Sequence, residues 1–185
     1  AVTVLAAVST QFIMLLRSEA LERTDLSSLR VLFTGGEAVP FDRAAEFEER
    51  TGARVLQFYG SNETGAVCGT SLRDDRKRRL QSSGRLIPEM NVRLFDEAGT
   101  DVTETGRGQP GCKGPTLSRG YWEDEAENRK LVRPDGWMLL GDIVSIDAEG
   151  YLSVIGRTDD FIIRGGKNIS GPAVEQEVAA HPAVV

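Results

Sequence analysis

Residues 57–65, with the sequence QFYGSNETG, place several different chemical groups directly after a short apolar run. A plain turn needs only a glycine, but this glycine is accompanied by an aromatic ring, small polar side chains and one carboxylate. Tyr59 can stack on a flat ring, and Ser61 and Asn62 can form hydrogen bonds. Glu63 offers the hard oxygen ligand that Mg²⁺ prefers. The segment therefore predicts a ligand site.

Two other glycine turns also follow apolar runs, at residues 34–38 (TGGEA) and 140–142 (LGD). Gly35 and Gly36 would let the backbone approach a flat ring closely. Asp142 can accept hydrogen bonds from two ribose hydroxyls, as acidic residues do in other nucleotide sites, and Arg157 supplies a permanent positive charge for phosphate or ribose oxygens. Each signal is weak alone. Together they provide for the base, sugar, phosphate and metal of a nucleotide.

Several other chemistries are excluded by what the chain lacks. It has one histidine, His181 in AAHPA, so a catalytic triad or a multi-histidine metal site has little to work with. Residues 106–111 match G-x-G-x-x-G, but Pro110 and Pro115 forbid the helix that a dinucleotide fingerprint requires. Residues 166–168 lack the spaced glycine and the Ser or Thr of a P-loop. Neither of these nucleotide motifs is present.

The composition describes an ordinary globular chain of 185 residues. Its net charge of −6 argues against a nucleic-acid partner. Cys68 and Cys112 form no Cys-x-x-Cys pair, which favours a reducing cytoplasm, and no segment resembles a membrane span. The basic run at residues 73–79 (RDDRKRR) is interrupted by two aspartates and predicts a solvated loop. The chain lacks an initial Met and is expected to be a fragment.

Apolar runs and turn residues predict an α/β fold that changes character along the chain. Strand–helix–strand–helix–strand in residues 1–70 indicates a parallel sheet with covering helices, with Ser9 or Thr10 capping the first helix. Residues 71–158 read as short alternating strands, which predict a small antiparallel β-barrel-like subdomain. Residues 159–185 contain a further strand, a glycine loop and a helix, and predict the start of a small α+β C-terminal domain.

Six segments resemble, in order and spacing, the core motifs of the AMP-forming adenylate enzymes. They are LRVLFTGGEAVP (29–40), FYGSNETG (58–65), SRGYW (118–122), GWMLLGDI (136–143), GYLSVIGRTDDFIIRGGKNI (150–169) and PAVEQEVAAHPAV (172–184). The superfamily contains acyl- and aryl-CoA synthetases, adenylation domains of peptide synthetases, and luciferases. The resemblance covers essentially the whole chain. It implies a two-step reaction, in which ATP converts a carboxylate to an acyl-adenylate and a thiol then displaces AMP.

The resemblance also implies roles for individual residues. Gly35, Gly36 and Glu37 would lie against the adenine, on which Tyr59 would stack. Gly60 and Ser61 belong to the same nucleotide-binding turn. Asn62 would contact the α-phosphate, Glu63 would hold Mg²⁺, Asp142 would bind the ribose and Arg157 would assist there. The implied small molecules are ATP, Mg²⁺, coenzyme A and a carboxylic acid.

The motifs at residues 150–169 and 172–184 imply a C-terminal domain that moves. Asp159 would be the hinge about which the C-terminal domain rotates between the two half-reactions. The loop formed by Arg164, Gly165, Gly166 and Lys167 would face the tunnel for the thiol. The phosphate loop expected before Ala1 and the lysine expected after Val185 are absent from this sequence, so the isolated piece is expected to be nearly inactive.

Three departures from the motifs concern the site. Asn62 stands in place of the usual threonine, Leu140 in place of a threonine before Gly-Asp, and Ser9 in place of a frequent proline. None removes an essential charge.

The acceptor and the acid stay less defined. The segments RGGKNI (164–169) and SNETG (61–65) resemble those of CoA ligases and favour coenzyme A as the acceptor, with the pantetheine of a carrier protein as the alternative. The alternative function is a non-catalytic nucleotide-binding module. Small and apolar residues at 8–12, 35–38 and 60–65 favour a medium-chain, alicyclic or aryl acid.

Overall fold

The fold is organised around one long mixed sheet. The computed structural model describes residues 1–158, 161–164, 167–171, 174 and 178. The strands of this part are β1 Val4–Ala6, β2 Val31–Gly35, β3 Arg54–Ser61, β4 Gly65–Gly69, β5 Gly84–Leu86, β6 Asn91–Phe95, β7 Arg107–Lys113, β8 Met138–Leu139, β9 Asp142–Ile146, β10 Tyr151–Arg157, β11 Phe161–Arg164 and β12 Lys167–Ser170. The α-helices are α1 Ser9–Leu16, α2 Phe41–Thr51, α3 Arg76–Gln81 and α4 Glu125–Leu131. Two short 3-10 helices span Leu21–Arg23 and Thr103–Thr105.

The parallel part of the sheet is confirmed for the first three strands. Strands β1, β2 and β3 run parallel in that order, and helices α1 and α2 form the two connections. The apolar residues 2–8 alone predict a buried strand, but strand β1 lies at the edge of the sheet and is partly exposed, with Val4 at 53%. Helix α1 begins at Ser9 with Val8 as its N-cap, so the prediction that Ser9 or Thr10 caps it was wrong.

The antiparallel part continues the same sheet. Its strand order is β1-β2-β3-β4-β5-β10-β9-β7-β6, with β8 paired to β7. The change from parallel to antiparallel occurs at β4, which pairs with β3, slightly earlier than residue 70. The barrel-like closure of the later strands and the three domain limits stay predictions.

Two apolar clusters hold the sheet. The first packs helices α1, α2 and α3 on the parallel strands through Phe12, Leu16, Leu29, Leu32, Ala44, Phe47, Ala53, Val55 and Leu80. The second lies among the antiparallel strands and contains Tyr59, Val67, Cys68, Met90, Leu94, Cys112, Leu140, Val144 and Leu152. Tyr59 belongs to the second cluster although it lies on β3, so it stands where the two parts of the sheet meet.

The basic run forms a short helix and not a loop. Asp75 caps α3 by accepting a hydrogen bond from the Arg78 amide at 2.8 Å. Arg79, on this helix, is 5% exposed and forms an ion pair with Glu48 of α2. Its Nη1 also donates to the Val55 carbonyl at 3.1 Å. The solvated-loop prediction was therefore wrong, because one charge of the run points into the protein.

Strand β7 contains a proline between two neighbouring strands, a position that normally loses a ladder hydrogen bond. The Pro110 carbonyl accepts from the Leu140 amide at 2.9 Å, but Pro110 has no N–H to return the bond. The Gln109 side chain donates to the Leu140 carbonyl instead, at 2.8 Å. Residues 107–111 of the glycine-rich segment lie on β7, which agrees with the rejection of this segment as a dinucleotide motif.

Candidate active site

The candidate site lies at the carboxyl ends of β2 and β3, next to the start of β9. Gly35 and Phe58 are register partners on β2 and β3, so the turns at 34–38 and 59–65 are neighbours. The third turn is brought to them by Tyr59, whose hydroxyl donates to Asp142 Oδ2 at 2.8 Å. All three glycine turns that the sequence singled out are thus brought together.

The two glycines of the first turn, Gly35 and Gly36, are required for different physical reasons. A Cβ on Gly35 would lie 2.6 Å from the Phe58 carbonyl oxygen and 2.7 Å from the Phe58 ring. Its bare backbone therefore makes room for Phe58, and the placement of Gly35 against an adenine ring stays a prediction. Gly36 has φ +88° and open space around its Cα, which leaves its backbone accessible. Glu37 is exposed, and its Oε1 accepts a hydrogen bond from the Thr10 amide at 3.2 Å.

The second turn is closed by its own hydroxyl groups. Ser61 Oγ accepts from the Glu63 and Thr64 amides at 3.2 and 3.3 Å, and the Ser61 amide donates to Thr64 Oγ1 at 3.0 Å. Gly60 is required here, because a Cβ on it would lie 2.0 Å from the Gly65 carbonyl oxygen. These bonds hold the tip of the turn, with Asn62 and Glu63, in one conformation.

The tip presents an exposed amide and a partly exposed carboxylate. Asn62 is exposed. Hydrogen bonds from Ser61 and from Tyr121 lower the pKa of Glu63 from its ordinary value, so it is ionised at neutral pH. In the described part of the chain, none of the ion pairs involves Glu63. A carboxylate that keeps its charge and has no cation beside it suits Mg²⁺.

The donor set matches the way proteins usually bind Mg²⁺ together with a nucleotide. Among the described residues, no group of three or more His, Cys, Asp or Glu could enclose a metal ion. Mg²⁺ is commonly bound through one or two carboxylates, with water and substrate phosphates completing its octahedron. Glu63 fits the protein's share of such a site.

The third turn carries Asp142 and the cation nearest to it. Asp142 is the first residue of β9 and is paired in register with Arg157 of β10. The Arg157 Nε lies 3.9 Å from Asp142 Oδ1, and the Arg157 side chain is 68% exposed. A loose, solvated pair of this kind contributes little to stability. Both groups therefore remain open to a ligand.

Tyr59 is nearly buried, at 9% exposed. Burial first, and then the charge of Asp142, raise the pKa of the Tyr59 phenol far above its ordinary value, so the phenol stays protonated and donates to Asp142. Its hydroxyl orients the carboxylate, a role that sequence patterns did not indicate because the two residues are far apart in the chain. Stacking of Tyr59 on adenine stays a prediction.

The two cysteines provide no nucleophile. Both are buried, and burial raises the pKa of Cys68 and of Cys112 to about 12. Their thiols are protonated at neutral pH and inert. The binding and charge-neutralising roles of the site residues stay predictions.

Two residues outside the turn contact its tip, and no sequence pattern indicated a role for either. Tyr121 Oη donates to Glu63 Oε1 at 2.7 Å, and the Ser118 amide donates to the Glu63 carbonyl at 2.6 Å. The available signal was the SRGYW motif itself, whose polar and aromatic residues lie in a glycine-containing loop.

The proposed hinge Asp159 and the loop residues Gly165 and Gly166 lie outside the described residues, as does His181. Arg164 and Lys167 lie on strands β11 and β12.

Among the helices of the described residues, none has the length and apolar composition of a membrane-spanning segment.

The known proteins to which this chain is similar indicate one class of enzyme. The profile of the family described as AMP-binding enzyme matches residues 1–122. The chain is 33% identical over 181 residues to the indoleacetate–CoA ligase of Aromatoleum aromaticum, covering 98% of this chain and 35% of that protein. It is 40% identical over 163 residues to the pyochelin synthase PchD of Pseudomonas aeruginosa, covering 88% and 30%. The chain belongs to the AMP-binding enzyme family.

Solved structures agree with this assignment. ATP-bound MatB from Rhodopseudomonas palustris superposes with a TM-score of 0.87 at 32% identity, covering 99% of this chain and 36% of MatB. The anthranilate CoA ligase AuaEII in complex with anthranoyl-AMP gives a TM-score of 0.87 at 27% identity, covering 98% of this chain and 34% of that chain. This chain therefore spans about a third of the length of the relatives that it matches.

Proposed function

We propose that the protein containing this chain is an AMP-forming carboxylate–CoA ligase. In the first step a carboxylate oxygen attacks the α-phosphorus of ATP, the bond to the β-phosphate oxygen breaks, and pyrophosphate leaves. In the second step the sulfur of coenzyme A attacks the acyl carbon, and AMP leaves with the bridging oxygen. The observation that carries the proposal is the assembly of the Glu63 turn, the Tyr59–Asp142 pair and Arg157 at one edge of the sheet.

Each part of this assembly has a task in the first step. Asp142, oriented by Tyr59, accepts the ribose hydroxyls, and Arg157 beside it binds ribose or phosphate oxygens. Gly36 offers accessible backbone to the adenine, with Glu37 at the same turn, and Asn62 donates to the α-phosphate. Glu63 holds Mg²⁺, which when bound neutralises phosphate charge.

Such a site accelerates the reaction by placing two reactants together and stabilising charge at phosphorus, so it needs no protein nucleophile.

The second step requires the acceptor thiol and the C-terminal residues. Asp159 as hinge and the loop of Arg164, Gly165, Gly166 and Lys167 as the wall of the thiol tunnel are proposed from the motif alone. Coenzyme A is favoured because named CoA ligases recur among the relatives. The carrier-bound pantetheine remains the second candidate acceptor, because the adenylation domains of peptide synthetases share the motifs that this chain resembles.

The acid is proposed to enter beside the N-terminus of α1. Ser9 is buried and its Oγ donates to the Ala38 carbonyl at 3.3 Å, so the segment at 8–10 contacts the first glycine turn. Phe12 cannot line the pocket, because it is fully buried against Phe47 with ring centroids 5.8 Å apart. The indoleacetate and anthranilate ligases among the relatives support an aryl acid.

Carboxylate-dependent ATP–pyrophosphate exchange tests the proposal on the longest form that the reading frame encodes. The acids are indoleacetate, anthranilate, a medium-chain fatty acid, an alicyclic acid and an amino acid. Exchange with one class, followed by AMP release that depends on added coenzyme A, supports the ligase. Exchange without CoA-dependent release moves the assignment to a carrier-bound acceptor. Absence of exchange with every acid, together with retained ATP binding, would support the non-catalytic module.

A further inference from the structure

The segment at residues 116–121 crosses the candidate site and contacts the tip of the Glu63 turn at three points. Thr116 Oγ1 donates to the Thr64 carbonyl at 2.7 Å, and the Ser118 amide donates to the Glu63 carbonyl at 2.6 Å. These two bonds reach the backbone of the turn. The third, from Tyr121 Oη to Glu63 Oε1 at 2.7 Å, reaches the carboxylate itself.

The position of Tyr121 is fixed from the opposite side by helix α4. The Tyr121 amide donates to Asn128 Oδ1 at 2.6 Å, and Asn128 Nδ2 donates to the Tyr121 carbonyl at 2.9 Å. Gly120 has φ +116°, and a Cβ on it would lie 2.5 Å from Asn128 Oδ1. The pairing of Asn128 with the Tyr121 backbone therefore needs the glycine. Asp124 caps α4 by accepting from the Glu127 amide at 3.1 Å.

The chemistry of the phenol suits a group that directs a metal-binding carboxylate. An arginine or lysine in this place would also fix the carboxylate, but it would neutralise the charge that attracts a cation. A phenol donates one hydrogen bond and adds no charge. Tyr121 occupies one oxygen of Glu63, and among the described residues no ion pair forms with the carboxylate. Glu63 is thus held in place with its charge retained.

A purely structural role does not explain the bond. Tyr121 is 44% exposed, so its ring contributes little to the core, and the segment is already attached through Thr116 and Ser118. A solvent-accessible phenol aimed at one carboxylate, from a backbone fixed on both sides by Asn128, restricts the direction of that carboxylate.

We propose that Tyr121 is a positioning residue for Glu63, and that it fixes the carboxylate in the orientation that binds the divalent cation of the ATP complex. The inference rests on the proposed function of the site. It assigns to the SRGYW motif of this chain a role in the adenylation step.

A double-mutant cycle with Mn²⁺·ATP as the probe tests the inference without turnover. Mn²⁺ accepts the same oxygen ligands as Mg²⁺, and its binding with ATP is followed by the loss of the free Mn²⁺ signal in electron paramagnetic resonance. The proteins are the unchanged form, Tyr121→Phe, Glu63→Gln and the double variant. Tyr151→Phe is the matched control, because Tyr151 also donates to a carboxylate, Asp74 Oδ1, at 2.7 Å.

We expect Tyr121→Phe to weaken Mn²⁺·ATP binding about 5- to 10-fold, the effect of one lost hydrogen bond, and Tyr151→Phe to leave it unchanged. The double variant should be no weaker than Glu63→Gln alone, since Tyr121 acts through that carboxylate. In the exchange assay, Tyr121→Phe should lower kcat and leave the KM of the acid unchanged.

Additive effects of Tyr121→Phe and Glu63→Gln, or equal effects of Tyr121→Phe and Tyr151→Phe, overturn the inference while the ligase proposal stands. A non-additive cycle in a protein that shows no carboxylate-dependent exchange supports the positioning role and removes the ligase proposal. Failure of the unchanged protein to bind Mn²⁺·ATP overturns both.

Discussion

The buried ion pair between Arg79 and Glu48 gives the sharpest stability prediction. The two side chains are 6% and 11% exposed, and they join α3 to α2. Glu48 also accepts from the Val55 amide at 2.8 Å and from Arg76 Nε at 3.2 Å. Arg79→Met keeps most of the aliphatic stem and leaves the Glu48 carboxylate in place without its main partner.

The expected cost follows from these contacts. Removing one member of a buried pair commonly costs about 3–5 kcal/mol. Two features reduce the cost here, since Arg76 and Val55 still bind the carboxylate, and the buried Arg79 Nε has no hydrogen-bond partner in the described structure. We therefore expect a loss of about 3 kcal/mol in the free energy of unfolding, measured by urea titration at pH 7.

Arg76→Met is the matched control, because it removes a second arginine from the same carboxylate. The Arg76 side chain is 48% exposed, and an exposed pair contributes about 0–1 kcal/mol. A loss from Arg79→Met no larger than that from Arg76→Met would refute the reasoning, because burial would then not distinguish the two pairs.

The pH dependence of the same pair provides a second check. Burial raises the pKa of Glu48, but hydrogen bonds from Arg79, the Val55 amide and Arg76 outweigh it, so the folded pKa lies below the ordinary value of 4.5. A lowered folded pKa contributes stability above the unfolded pKa, and this stability is lost as the pH falls through the folded pKa. The difference between the unchanged protein and Arg79→Met should therefore be full at pH 7 and shrink below about pH 4.5. A difference that stays constant down to pH 3 would contradict this account.

Three further predictions concern the site and one helix end. Asp142→Asn should weaken ATP binding at least about tenfold in calorimetric titration, because bonds to a charged acceptor contribute about 1.5–3 kcal/mol, and unchanged affinity would remove its ribose role. Gly60→Ala should lower stability by about 1–3 kcal/mol in thermal unfolding, since its Cβ would lie 2.0 Å from the Gly65 carbonyl oxygen; an unshifted melting temperature would show that this contact relaxes freely. Gly52 ends α2 with φ +72°, so Gly52→Ala should cost about 1 kcal/mol and Gly52→Asn less, and equal losses would contradict the left-handed geometry.

Local sequence patterns predicted the parallel strands and the turns that carry the site. Continuous apolar runs identified β2 and β3, and α2 ends at Gly52, a residue type that is typical after the last turn of a helix. The turns at 34–38 and 59–65 lie together because the carboxyl ends of neighbouring parallel strands share one edge of a sheet. Those inferences needed only neighbouring residues and general rules of sheet construction.

The misses arise from contacts between residues far apart in the chain. Helix α3 was read as a loop because nothing local shows that Arg79 is paired with Glu48. Strand β7 was not identified because Pro110 argues against an internal strand, and the compensating bond comes from the Gln109 side chain to Leu140. The orientation of Asp142 by Tyr59 spans 83 residues, so no pattern within either motif indicates it.

The backbone carbonyl of Gly141 connects the end of strand β10 to the candidate site. It accepts two hydrogen bonds from Thr158, from the amide at 2.9 Å and from Oγ1 at 3.2 Å, directly after β10 ends at Arg157. The next residue along from Gly141 is Asp142, the carboxylate proposed to hold the ribose. The residue that accepts the hydrogen bonds from Thr158 is therefore the neighbour of the carboxylate proposed to bind the ribose, so we expect a shift of the chain at Thr158 to move Asp142 as well.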